Sequence, residues 1–209
     1  MKLYYSRNLN PRLCVAAARH LKAPVEYLVG HTFDAKLRDF FYALNPNLLN
    51  PILVEDDGSS LWETDAIVCR LARVVGSDFF PEGVELPELV RWLSWAAYHW
   101  GNAGSAMYYD RITVPRYDLK HLSPEEMATR LEDFHQCARI LDEVLSRRDW
   151  LIGGRPTYAD FRVGTVLPFA GEAALPIAEY PHICRYGERL DELPAWRDPF
   201  EGLGDAPLT

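Results

Sequence analysis

Short apolar runs separated by polar turns fill the first third of the chain, and longer runs with helical spacing fill the rest. Lys2-Leu3-Tyr4-Tyr5-Ser6 reads as a strand rich in aromatics, followed by a polar loop over 7–10. Pro11 suits the first turn of a helix, with Asn10 as its cap, and Leu13, Val15 and Ala16–Ala18 supply its apolar face. Lys22-Ala23-Pro24 breaks this helix, and Val25–Val29 alternates as a second strand. Asp34–Leu44 is an irregular helical stretch. Ile52-Leu53-Val54 and Ser60-Leu61-Trp62 then predict a β-hairpin reversing at Asp57-Gly58, a pair that tolerates positive φ. Thr64 stands ahead of the apolar set Ile67, Val68, Leu71 and Ala72, the place of a helix cap.

The order of elements is therefore β-α-β-α-β-β-α, which implies an α/β domain with a parallel pair and a terminal hairpin. Its expected extent is 1–76. Residues 77–87, with Pro81 and Pro87 flanking Glu82-Gly83 and following Phe79-Phe80, read as a linker whose phenylalanines can tack it to the first domain. Everything from 88 to 209 reads as helical. An aromatic-rich helix is expected over Glu88–Tyr109. Ser123-Pro124-Glu125-Glu126 starts another that runs to about Leu145, and Thr157-Tyr158-Ala159-Asp160 is a variant capping box.

Composition narrows the class. A chain of 209 residues, 48% hydrophobic, is long enough for a real core. Its net charge of -8 argues against nucleic acid or an anionic membrane as partner. No apolar run reaches the roughly 18 residues of a membrane span, and Met1-Lys2 leads straight into a strand rather than a signal peptide. The four cysteines, Cys14, Cys69, Cys137 and Cys184, are far apart and away from the six histidines, so no metal site is expected. Buried, inert thiols are expected at Cys14 and Cys69, and a reducing cytoplasm fits such usage.

The candidate chemistry lies between Asn45 and Ile67. A helix N-terminus at Thr64 offers free N–H groups and a positive dipole to an anion, and Glu63 beside it can take an ammonium group. Together they suit an α-amino acid head. Pro51 opens a strand where its missing N–H costs least, and X-Pro bonds are the ones that adopt cis cheaply. Asn45-Pro46-Asn47, Pro51-Ile52-Leu53 and Leu61-Trp62-Glu63-Thr64-Asp65-Ala66-Ile67 resemble the N-terminal domain of cytosolic glutathione transferases, bacterial members included. Pro181-His182-Ile183 and Leu193-Pro194-Ala195-Trp196 resemble the last helices of that family, so the likeness spans nearly the whole chain. Leu48, Asn50 and Thr64 depart from the usual glycine, valine and serine.

The resemblance implies a thioredoxin-like domain joined to an all-α domain, glutathione as co-substrate, and a homodimer. It implies that Pro51 is cis, that the main chain of Asn50 pairs with the cysteinyl part of glutathione, and that Glu63 and Thr64 hold the γ-glutamyl head. It points to Lys36 or Arg12 for a carboxylate. A thiol needs a donor or a helix N-terminus to ionise near neutrality, and the candidates are Asn10, Ser6 and Tyr5. Trp95, His99, Trp100, Met107 and Tyr108 are candidates for a pocket that takes a small hydrophobic electrophile, His99 being the one able to orient a polar acceptor. The activity implied is glutathione transfer to that electrophile. Disulfide reduction or dehalogenation at the same site, and a non-catalytic binding module, are the rivals. With no cysteine over 6–12, thiol exchange through an enzyme disulfide is disfavoured.

Overall fold

The structure, a computed structural model, describes residues 1–204. They form two compact units, Met1–Phe80 with the described stretch from Leu193 onward, and Pro81–Glu192. The first unit contains β1 (Lys2–Tyr5), α1 (Leu9–His20), β2 (Glu26–Val29), α2 (Arg38–Leu44), β3 (Ile52–Val54), β4 (Ser60–Trp62) and α3 (Thr64–Val75). These follow the order read from the sequence. The sheet runs β2-β1-β3-β4, with β1 parallel to β2 and the other neighbours antiparallel.

Leu3 pairs with Leu53, and Leu53 with Leu61. Leu3 and Leu53, paired and fully buried, share one face of the sheet, and Leu13 of α1 and Ile67, Val68 and Leu71 of α3 are buried as well. Ile52 is buried on the opposite face with its partner Tyr4, whose ring packs on Phe41 of α2. Burying each such side chain is worth about 1.5–3 kcal/mol. The run Ala16–Ala18 is buried throughout, and its small side chains let α1 lie close to its neighbours. At the hairpin tip only Gly58 adopts positive φ, at 86°, while Asp57 Oδ1 accepts from the Ser59 N–H and hydroxyl.

The helical domain was expected to run unbroken to 209. Instead, α10 (Pro194–Arg197) and the residues after it pack with the first unit. The reason is polar as well as apolar: Arg12 donates to the Trp196 carbonyl and lies over its ring, 5.0 Å from the centroid. The break after Phe80 falls within 77–87, and Phe79 packs on His20 with ring centroids 4.6 Å apart.

In the second unit, α4 (Leu86–Trp95), α5 (Gly101–Tyr108) and α6 (Val114–Tyr117) follow one another through two π-helical turns, Ala96–Trp100 and Tyr109–Thr113. The helix expected over 88–109 is thus longer and twice widened: Gly101 N–H donates to the Ala96 carbonyl, five residues back. α7 (Pro124–Leu145) begins at Ser123 with both bonds of a capping box. α8 (Tyr158–Gly164) and α9 (Pro181–Asp191) complete the unit. Asp160, fully buried, accepts from the Leu151 N–H, the Thr157 N–H and hydroxyl, and the Tyr186 hydroxyl.

Candidate active site

Two helix starts meet in the first unit. The Thr64 hydroxyl donates to the Asn10 carbonyl, a long bond of 3.4 Å between residues 54 positions apart. Thr64 is the first residue of α3 rather than its cap, which corrects the sequence reading. The cap position belongs to Glu63, which has φ 72° and ψ 123°, a conformation rare outside glycine. Thr64 is buried and bonded toward α1, and the Glu63 side chain makes no capping bond to α3, whose N-terminal amides suit an anion. Glu63 itself is exposed beside them. Asn50 and Pro51 stand nearby in sequence at the head of β3, and the bond between them is cis.

The three thiol-donor candidates fare differently. Tyr5 is 1% exposed, stacks on Phe200 at 5.7 Å, and donates its hydroxyl to the Gly204 carbonyl. Ser6 is buried, and its hydroxyl donates to Asn8 Oδ1 at 2.7 Å. Asn10 is exposed but lies inside the first turn of α1, whose cap is Asn8. The expectation that Asn10 caps this helix is therefore corrected by two residues. Leu9, flanked by the two asparagines, is the first helical position, and an apolar residue there was the available signal for Asn8 as cap. The Asn8 side chain makes no capping bond to that end, and no acidic residue lies in its first turn.

The two basic candidates are elsewhere engaged or exposed. Arg12 is committed to Trp196, as described, and is 8% exposed. Lys36 is exposed, and its backbone N–H donates to Asp34 Oδ1. Arg7, which the sequence reading passed over, donates to the Gly204 carbonyl and lies 5.1 Å from the Phe200 ring centroid. Arg7, Arg12, Arg197 and Phe200 line a cavity of about 550 Å³ that Asp198 and Glu201 share. Burial pushes the Cys14 thiol far up, leaving it an inert core residue, whereas Cys69, expected buried, is half-exposed. Among the described residues no group of three or more His, Cys, Asp or Glu is placed to hold a metal ion.

The pocket candidates divide within the second unit. Trp100 is 1% exposed, lies 4.8 Å from Phe134, and donates its indole N–H to the Val163 carbonyl. It belongs to the core of this unit. Met107 is buried too, and Tyr108 packs edge-on to Phe169 with burial raising its phenol. Trp95 is half-buried beside Trp100, and His99 is exposed.

The comparisons with known proteins give this geometry its setting. Residues 124–204 match the model of the glutathione S-transferase C-terminal domain. The chain is 24% identical over 196 residues to glutathione S-transferase GstB of Escherichia coli K12, covering 92% of this chain and 93% of that protein. It is 26% identical over 167 residues to GstA of E. coli O157:H7, 79% of each chain. Among solved structures, a sphingomonad glutathione S-transferase complexed with glutathione superposes with a TM-score of 0.82 at 23% identity, over 99% of this chain and 100% of that one. The bacterial transferase BphK, in a ternary complex, gives 0.83 at 21%, over 98% and 100%.

A four-stranded unit of thioredoxin-like order, followed by helices, over nearly the full length of such structures, is the glutathione transferase architecture. Residues 124–204 thus match the C-terminal domain of glutathione S-transferases, and the chain as a whole is similar in sequence and fold to bacterial members of that family.

Proposed function

We propose that this protein is a glutathione-dependent transferase that binds the tripeptide on its first unit. The observation that carries the reading is the meeting of the α1 and α3 starts through Thr64 and Asn10, with Glu63 exposed beside them. In this reading the γ-glutamyl carboxylate lies on the first-turn amides of α3, and the Glu63 carboxylate takes the ammonium group. The cysteinyl main chain pairs with that of Asn50. The thiol then points to the start of α1. There the first-turn amides and the Asn10 amide stabilise the thiolate, while Tyr5 and Ser6 spend their hydroxyls within the chain.

The reaction that follows is attack of the sulfur on a small electrophile, with the leaving group departing and the thiol proton passing to solvent. A second copy of the chain and a hydrophobic co-substrate complete the proposal. The test is retention of the purified protein on immobilised glutathione, followed by turnover of a chloronitrobenzene and of a bis-glutathione disulfide. Retention with chloronitrobenzene turnover supports the transferase. Retention with disulfide turnover alone reassigns the reaction, and failure to be retained removes glutathione from the account.

A further inference from the structure

Main-chain pairing at residue 50 asks nothing of a side chain, yet the Asn50 side chain is fixed. Its Nδ2 donates to the Gly30 carbonyl at 2.8 Å. Gly30 follows β2 directly, and its own N–H donates to the Tyr5 carbonyl at 2.8 Å. The loop ahead of β3 is thereby tied to the end of the central strand pair. Asn45, whose N–H is held by the Phe41 carbonyl at the end of α2, orders the loop from within: its Nδ2 donates to the Leu49 carbonyl, and its Oδ1 accepts from the Asn47 N–H. The carboxamide of Asn50 lies against Gly30 so closely that a Cβ at residue 30 would stand 2.0 Å from Oδ1 and 2.6 Å from Cγ. Any side chain there expels the carboxamide and breaks its bond.

We infer that Asn50 and Gly30 form a latch that holds the Asn50 main chain where the cysteinyl part of glutathione pairs with it, so that the Asn50 side chain is a positioning residue for the thiol substrate. The inference rests on the glutathione reading above. Its logic is geometric. Pairing with a bound peptide needs the N–H and C=O placed to about half an ångström, and bonds at Asn45, five residues away, do not supply that at residue 50. A hydrogen bond of this kind contributes about 1 kcal/mol, and each tenfold in affinity is about 1.4 kcal/mol.

The experiment is calorimetric titration of glutathione into the wild type, Asn50→Ala, Gly30→Ala and the double variant. Asn50→Ala is expected to weaken binding about fivefold, and Gly30→Ala more than that, about thirtyfold, since the added methyl displaces the loop besides breaking the bond. The double variant should return to the Asn50→Ala value, because the methyl then has no carboxamide to strike. A purely structural defect would instead lower the melting temperature without this suppression. Losses that add in the double variant, or Gly30→Ala with wild-type affinity, overturn the latch. If Gly30→Ala does not fold, Asn50→Leu, similar in shape but with no donor, carries the test, and unchanged affinity there overturns it. A wild type that binds no glutathione fails the reading itself, and the latch falls with it.

Discussion

Replacing Glu63 by glycine should move stability and affinity in opposite directions. Glu63 stands at the cap of α3 with φ 72° and ψ 123°, where a β-carbon is crowded and the cost is about 1–3 kcal/mol. Glycine removes that cost and is itself acceptable at a cap, but it gives up about 0.5–1 kcal/mol through the greater freedom of the unfolded chain. The net gain is about 1 kcal/mol, or a rise of about 2–4 °C in melting temperature for a chain of this size. The same change deletes the carboxylate proposed for the γ-glutamyl ammonium. A charge-assisted hydrogen bond of about 1.5–3 kcal/mol is lost with it, which weakens glutathione binding by about 10- to 100-fold.

Glu63→Ala separates the two effects. It loses the same carboxylate while keeping the crowded backbone, so affinity falls equally and no stability is gained. Thermal denaturation beside glutathione titration on the three proteins reads both quantities. A glycine variant that melts below the wild type refutes the strain argument. One that binds glutathione as tightly as before refutes the assignment of the ammonium to Glu63.

The remaining predictions concern the frame around the site. Asp160→Ala strands the Leu151 and Thr157 N–H groups in the core of the second unit, since Tyr186 can still donate to the Asp160 carbonyl. At about 1–3 kcal/mol for each stranded donor, urea denaturation should register a loss of about 4 kcal/mol, and a loss below 1 would contradict the bond network. Burial lowers the pKa of His20, so the unfolded chain takes up a proton that the folded one resists. Stability from this residue is full above its unfolded value of 6.5 and is lost as pH falls through its lower folded value. A melting profile between pH 8 and pH 5 should therefore slope less in His20→Phe, and identical slopes would reject the cause.

Much of the fold was legible because its signals are local. The hairpin strands carry β-branched or aromatic residues on either side of an Asp-Gly pair, and α7 announces itself with serine, proline and two glutamates. The misread caps fail for the same reason. Ser6, Asn8 and Asn10 are all competent to cap, and only the side-chain bond of Ser6 to Asn8 and the run of the chain select Asn8. At α3 the hydroxyl of Thr64 is drawn to Asn10, a partner no neighbouring residue reveals. The return of the C-terminal stretch to the first unit depends on Arg12 and Trp196, 184 positions apart. Trp100 could not be separated from a pocket residue beforehand, since its helical spacing is the same in either role; the Val163 carbonyl that takes its N–H decides it.

A crystal structure of the protein grown with excess glutathione tests the central claim most directly. The account predicts the γ-glutamyl ammonium within hydrogen-bond distance of the Glu63 carboxylate, the cysteinyl main chain paired with Asn50, and the sulfur at the start of α1. Density for the tripeptide anywhere else, or none at saturating concentration, would contradict it.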